Sequence, residues 1–89
     1  MVIPLRVEFT PGALRDLSKI GKPVAQRILD KIKWFSQNAD ISSPEPLSHG
    51  LKGKWKLRVG DWRVIYTLEE ASSLMIILYV DHRSRVYKK

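Results

Sequence analysis

The sequence predicts a single α+β domain, residues 1–89, in which a helical hairpin packs on one face of a mostly antiparallel four-stranded sheet. Three observations predict it. A chain of 89 residues with 44% hydrophobic content has apolar material for one compact core and no second. Two helical periodicities stand side by side in the first half, and three strand-like runs divided by turn residues fill the second. The expected order is β-α-α-β-β-β, without repeats or low-complexity tracts.

Residues 2–9 alternate loosely and are rich in strand formers, and Thr10-Pro11 supplies a helix cap followed by a preset first-turn φ. Ala13, Leu14, Leu17 and Ile20 then recur at helical spacing until Gly21, which suits a left-handed helix end. Pro23 opens a second helix with the stripe Val24, Ile28, Ile32 and Phe35, widened by Ala25 and Leu29 and fading near Asn38. Residues 39–53 hold Ser42, Ser43, Pro44, Pro46 and Gly50 and read as a loop long enough to be functional. Residues 54–59, 62–68 and 74–80 read as strands, with Gly60-Asp61 as a two-residue hairpin turn and residues 69–73 as a looser one. The run 74–80 is apolar throughout, which suits a central strand covered on both faces.

The chain has no cysteine, which removes disulfides, thiolate chemistry and cysteine-ligated zinc and points to a cytoplasmic protein. No apolar run approaches the roughly 20 residues that span a bilayer, and the first residues lack the features of a signal peptide. A net charge of +7 implies an anionic partner, and the lack of a basic amphipathic helix with a bulky apolar face puts nucleic acid ahead of a membrane. The excess is uneven. Residues 1–49 carry 7 Lys and Arg against 5 Asp and Glu, whereas residues 50–89 carry 9 against 4.

Strand alternation places Lys54, Lys56 and Arg58 on one face and Trp55, Leu57 and Val59 on the other. If Gly60 and Asp61 make the turn, Val59 pairs with Trp62 and Arg58 lies opposite Arg63. Like charges opposite each other destabilise a sheet, so this placement suggests that something anionic, most simply phosphate, completes the face. A solvated charged face is the bland alternative, and the convergence of four cations in the more basic half argues against it. His82, Arg83 and Tyr87 follow the last strand, where they can fold back toward this face. Trp34, Trp55 and Trp62 read as core or partner-contact residues, and His49 is given no role.

The run from Leu51 to Tyr66, containing Arg58-Val59-Gly60-Asp61-Trp62-Arg63-Val64-Ile65-Tyr66, together with His82-Arg83-Ser84-Arg85-Val86-Tyr87, closely resembles the RelE/ParE superfamily of bacterial toxins over nearly the whole chain. The resemblance implies a RelE-like, microbial-ribonuclease-like fold. RelE-like members are ribosome-dependent endoribonucleases that cleave mRNA in the decoding site, and ParE-like members inhibit DNA gyrase. The RelE pattern maps catalysis onto Lys54, Lys56, Arg63, Arg83 and Tyr87; Arg58, His82 and Arg85 are the expected substrate contacts. Two residues follow Tyr87, which leaves no room for a C-terminal helix of the RelE kind, and the segment from Arg83 to Tyr87 is shorter than in that pattern.

The chemistry suits that inventory. An RNA 2′-OH must lose a proton and attack the adjacent phosphorus, and the departing 5′ oxygen must gain one. Lys56, Arg58 and Arg63 are the expected stabilisers of the charged phosphorane. Tyr87 or Lys54 is the expected base, and Arg83 or His82 the expected proton donor. No Asp and Glu cluster accompanies them, so neither metal nor other cofactor is expected. The resemblance further implies a cognate antitoxin, mRNA and ribosomal RNA as partners, and operator DNA only through the antitoxin. The alternatives are a gyrase inhibitor without nuclease activity and a non-catalytic nucleic-acid binder.

Overall fold

Residues 2–47 and 53–86 are described by the computed structural model. The elements run β1 (Arg6–Phe9), α1 (Pro11–Ile20), α2 (Lys22–Gln37), β2 (Glu45–Pro46), β3 (Trp55–Val59), β4 (Trp62–Glu69), β5 (Leu74–His82) and α3 (Arg83–Val86). They build one sheet in the order β1-β5-β4-β3-β2, in which β1 runs parallel to β5 and all other neighbours are antiparallel. The α+β class, the helical hairpin and the mostly antiparallel sheet are as the sequence predicts. Among the described residues, no helix is long and apolar enough to cross a membrane.

Three expectations are corrected. The sheet has five strands rather than four, because β2 forms inside the stretch read as loop. Glu45 stands between Pro44 and Pro46, and a residue before proline is driven to extended backbone. The missing amide of Pro46 is harmless on an edge strand. The first strand is confined to Arg6–Phe9, beyond Pro4. The β-α-α-β-β-β order also lacks the four-residue helix that follows β5 ahead of Tyr87; a single turn needs only an anchor, and Val86 provides it by being 1% exposed.

Ala13, Ile28, Ile32 and Phe35 of the helices meet Leu57, Val59, Val64, Tyr66, Met75, Ile77 and Val80 of the sheet in the main core. Leu14 and Leu29 lie off that stripe and are 55% and 37% exposed. The helices join at Gly21, whose φ of +97° a side chain would disfavour. It ends α1 and starts α2 at one residue.

β1 covers only the first part of β5, and α1 closes the rest of that edge. Thr10 Oγ1 accepts from the Ala13 amide at 3.1 Å and donates to the Leu78 carbonyl at 2.7 Å. One hydroxyl therefore caps the helix and straps it to the sheet. Further along, Asp16 Oδ2 accepts from the Val80 amide at 2.9 Å. An edge that would otherwise expose backbone donors and acceptors is thus satisfied by side chains.

Thr10→Ala is expected to lower unfolding stability by about 1–2 kcal/mol in urea titrations, as for other lost N-caps, while Thr10→Ser retains most of it.

Candidate nucleic-acid interface

Alternation along β3 sends Leu57 and Val59 into the core and Lys56 and Arg58 to the face away from the helices. Val59 pairs with Trp62 and Arg58 with Arg63, as the turn assignment requires, and Arg63 in turn pairs with Asp81 of β5. Two rows of neighbours therefore cross this face. One holds Arg58, Arg63 and Asp81; the other holds Glu45, Lys56, Ile65 and Tyr79.

Each row contains a carboxylate, so the cations are not left for an outside anion alone to neutralise. Glu45 Oε2 accepts from Arg58 Nη2 at 2.6 Å and Nε at 3.1 Å and lies 3.4 Å from Lys56 Nζ. Partial burial favours the neutral acid, but the hydrogen bond and charge of Arg58, joined by those of Lys56, outweigh it and hold the Glu45 carboxyl below its ordinary value. The ion pairs accordingly support the fold at neutral pH, and that support fades as pH falls through the lowered carboxyl pKa. Sequence reasoning missed Glu45. The Pro-Glu-Pro signature of an edge strand was the available signal.

The Gly60-Asp61 turn gathers the arginines. Gly60 has a φ of +59°, which primed hairpin turns demand at a central position, and a Cβ there would stand 3.3 Å from Arg27 Nη2. Arg63 Nη1 donates to the Gly60 carbonyl at 2.7 Å and to the Trp62 carbonyl at 2.9 Å. The Arg83 amide donates to the Asp61 carbonyl at 2.8 Å, and Arg83 Nε lies 3.5 Å from Asp61 Oδ1. The turn thus brings Arg63 and Arg83 together from separate parts of the chain, one register step from Arg58.

His82 lies edge-on to Trp62 with ring centroids 5.5 Å apart. Its Nδ1 accepts from the Ser84 amide at 3.2 Å and faces Ser84 Oγ at 2.9 Å. An Nδ1 that accepts from an amide leaves the proton of the neutral ring on Nε2. Arg85 pairs with Asp81 at 2.9 Å and lines a cleft of about 160 Å³ with Asp16, Lys19 and Trp62, so it is turned toward α1 rather than toward Lys56. Lys54 is exposed just ahead of β3 and accepts at its carbonyl from the Leu47 amide. Tyr87 and His49 lie outside the described residues. Tyr66 and Tyr79 are both pushed above the usual phenol range, chiefly by burial, with Glu45 and Asp81 respectively adding to it. Neither supplies a phenolate at neutral pH. Among the described residues, no three of His, Asp or Glu gather as a metal-binding set.

Trp55 and Trp62 are half-buried against the main core as expected, whereas Trp34 is 45% exposed with Lys31 Nζ 4.6 Å from its ring centre. A second, smaller apolar cluster supports the cationic face from within. Ile65, Leu47 and Val86 are buried together, with Leu78 and Tyr79 packed against them. Leu47 fixes the chain leaving β2, and Val86 fixes the turn that carries Arg83. Val86→Ala is expected to cost about 2 kcal/mol locally, from two lost methyl groups and the space they leave. Hydrogen exchange of the 83–86 amides should accelerate while that of β4 stays unchanged.

The family model described as "ParE toxin of type II toxin-antitoxin system, parDE" matches residues 7–87. Toxin RelG of Mycobacterium tuberculosis is 28% identical over 87 residues, covering 98% of this chain and all of that protein. Toxin RelE of the same organism is 27% identical over 85 residues, covering 96% and 88%. The toxin-antitoxin complex RelBE2 from M. tuberculosis contains a chain that superposes with a TM-score of 0.79 at 29% identity, covering 91% of this chain and all of that one. A mutant of E. coli toxin RelE in the free state shares the fold with a TM-score of 0.76 at 18% identity, over 97% and 93%. With the family model spanning β1 to the residues beyond α3, the chain belongs to the ParE toxin family of type II toxin-antitoxin systems, within the RelE/ParE superfamily.

Proposed function

We propose that the chain is a ribosome-dependent, metal-independent endoribonuclease, the toxin that halts translation by cutting mRNA. The observation that carries this reading is the convergence of Arg58, Arg63 and Arg83 around one hairpin turn, with Lys56 in the adjacent row. The 2′-OH loses its proton to Tyr87 or Lys54, attacks the adjacent phosphorus and expels the 5′ oxygen, leaving a 2′,3′-cyclic phosphate. Lys56, Arg58 and Arg63 oppose the charge that builds on the phosphorane. The leaving oxygen takes its proton from His82 or Arg83. The Ser84 contacts occupy Nδ1 of His82 and leave Nε2 as the ring nitrogen through which a proton can pass, which supports the histidine, and the Asp61 pairing of Arg83 supports a charge-stabilising role for the arginine.

The partners in this reading are mRNA in the decoding site, ribosomal RNA and a cognate antitoxin, with operator DNA reached only through the antitoxin; the setting is the cytoplasm. The complex of RelBE2 is a precedent for the antitoxin, and a chain at +7 suits an acidic, partly disordered binder. One observation favours the gyrase-inhibiting alternative: the matching family model carries the ParE name. Against it stand the RelE and RelG names of the relatives and a cation set that gyrase inhibition does not call for.

Induction of the chain in a bacterial host, beside an Arg63→Ala, Tyr87→Phe double variant, separates the readings when mRNA 5′ ends and DNA topology are followed together. Ribosome-phased cuts from the wild type are expected, and Arg63→Ala alone should slow cleavage about 100- to 1,000-fold. Intact mRNA with gyrase-dependent DNA damage would establish the alternative.

A further inference from the structure

The contact between Glu45 and the two cations of β3 has the form of a bound phosphate. A single carboxylate oxygen receives the Nε and Nη2 donors of Arg58 at 3.1 and 2.6 Å and lies 3.4 Å from the Lys56 ammonium. A phosphodiester oxygen docked side-on to an arginine and flanked by a lysine would take the same three donors. The carboxylate and the phosphodiester each carry one negative charge, so exchanging them leaves the site electrically unchanged. The exchange is also sterically open. The side chains of Glu45 and Arg58 are 41% and 59% exposed, against 12% for Lys56. These groups line a cleft of about 200 Å³ together with Lys31, Ser42 and Ser43.

We propose that Glu45 is a resident anion of the phosphate site, holding the place of a nucleic-acid phosphodiester on Lys56 and Arg58 until one displaces it. The proposal rests on the reading of this face as a nucleic-acid site and adds the residue that sets its selectivity. Glu45 touches the cations and acts on the substrate through them, so it is a positioning residue. In the free protein it keeps Lys56 and Arg58 in the orientation that phosphate needs. It also weakens adhesion to stray polyanions, which a chain at +7 otherwise attracts without regard to sequence. Displacement precedes chemistry, so the ground state and the transition state pay the same cost, and the effect falls on KM rather than kcat.

Glu45→Gln keeps the volume and one acceptor for Arg58 but removes the charge. Glu8→Gln, on β1 at the opposite edge of the sheet, makes the same change in net charge away from the site. Binding of a fluorescein-labelled, fully 2′-O-methylated RNA oligonucleotide, which lacks the attacking hydroxyl, is measured at low salt. Glu45→Gln should bind about three- to fivefold tighter than wild type, the upper range for an exposed ion pair. Glu8→Gln should change affinity less than about twofold because an isolated surface charge is well screened. In cleavage assays Glu45→Gln should lower KM by a similar factor and leave kcat within about twofold.

A Glu45→Gln variant that binds no tighter than Glu8→Gln would overturn the proposal. So would unchanged binding with lost cleavage, which would assign the carboxylate to proton transfer. Absence of cleavage by the wild type, with Glu45→Gln still binding tighter, would count against the nuclease reading alone and support the resident anion. The wild type provides a check that does not depend on the variant folding. The Arg58 Nε–H resonance should shift on titration with the oligonucleotide as its acceptor changes from carboxylate to phosphate, and a resonance that stays fixed at saturation would equally sink the idea.

Discussion

Leu78 has no residue opposite it on β4, because Ile65 pairs with Tyr79 while Tyr66 pairs with Ile77. This bulge decides which side chains of β5 meet the helices. Ile77 and Val80 both enter the main core, although they are three positions apart, and Leu78 and Tyr79 both turn to the smaller cluster around Ile65. Without the extra residue, the strand beyond it would present its other face. Val80 would leave the core, and Asp81 would leave the row it shares with Arg58 and Arg63. The cationic face, the pairing of Trp62 with His82 and the start of α3 all stand downstream of that shift.

Much of this architecture was legible in the sequence because its signals were local. Thr10-Pro11, Gly21 and Pro23 bracket two helices whose stripes match their buried faces except at Leu14 and Leu29, and Gly60-Asp61 fixed the Arg58 to Arg63 register through turn chemistry alone. What escaped was the part with no periodic signature. An all-apolar run such as 74–80 carries no alternation, so it cannot show where its phase slips. β2 is two residues long and takes its structure from flanking prolines and from pairing with β3. The one-turn helix after β5 depends on a single buried valine. At the site, the cations could be placed by alternation along β3, whereas their carboxylates come from a loop and from beyond the bulge. Composition counts those carboxylates without locating them.

Self-neutralisation reconciles a strongly basic chain with a stable sheet. The like-charge neighbours Arg58 and Arg63 are flanked by Glu45 on one side and Asp81 on the other. Exposed ion pairs add little to stability singly; here their effect is chiefly one of direction. Arg83, Arg63 and Arg58 are each aimed by a carboxylate or a turn carbonyl, and long flexible side chains thereby lose much of the orientational freedom that binding would otherwise have to remove.

The parallel pairing of β1 with β5 also orders events in time. Thr10 meets Leu78 across 68 positions of sequence, and the β1 ladder joins residues 6–9 to residues 74–77. During synthesis from the N-terminus, the helical hairpin can form early, but its apolar face stays uncovered until β4 and β5 have both emerged. Arg83 follows directly on β5. The charged face is therefore assembled among the last steps of making the molecule, and a nascent chain short of its final strand presents neither the ladder that holds β1 nor the turn contact that holds Arg83.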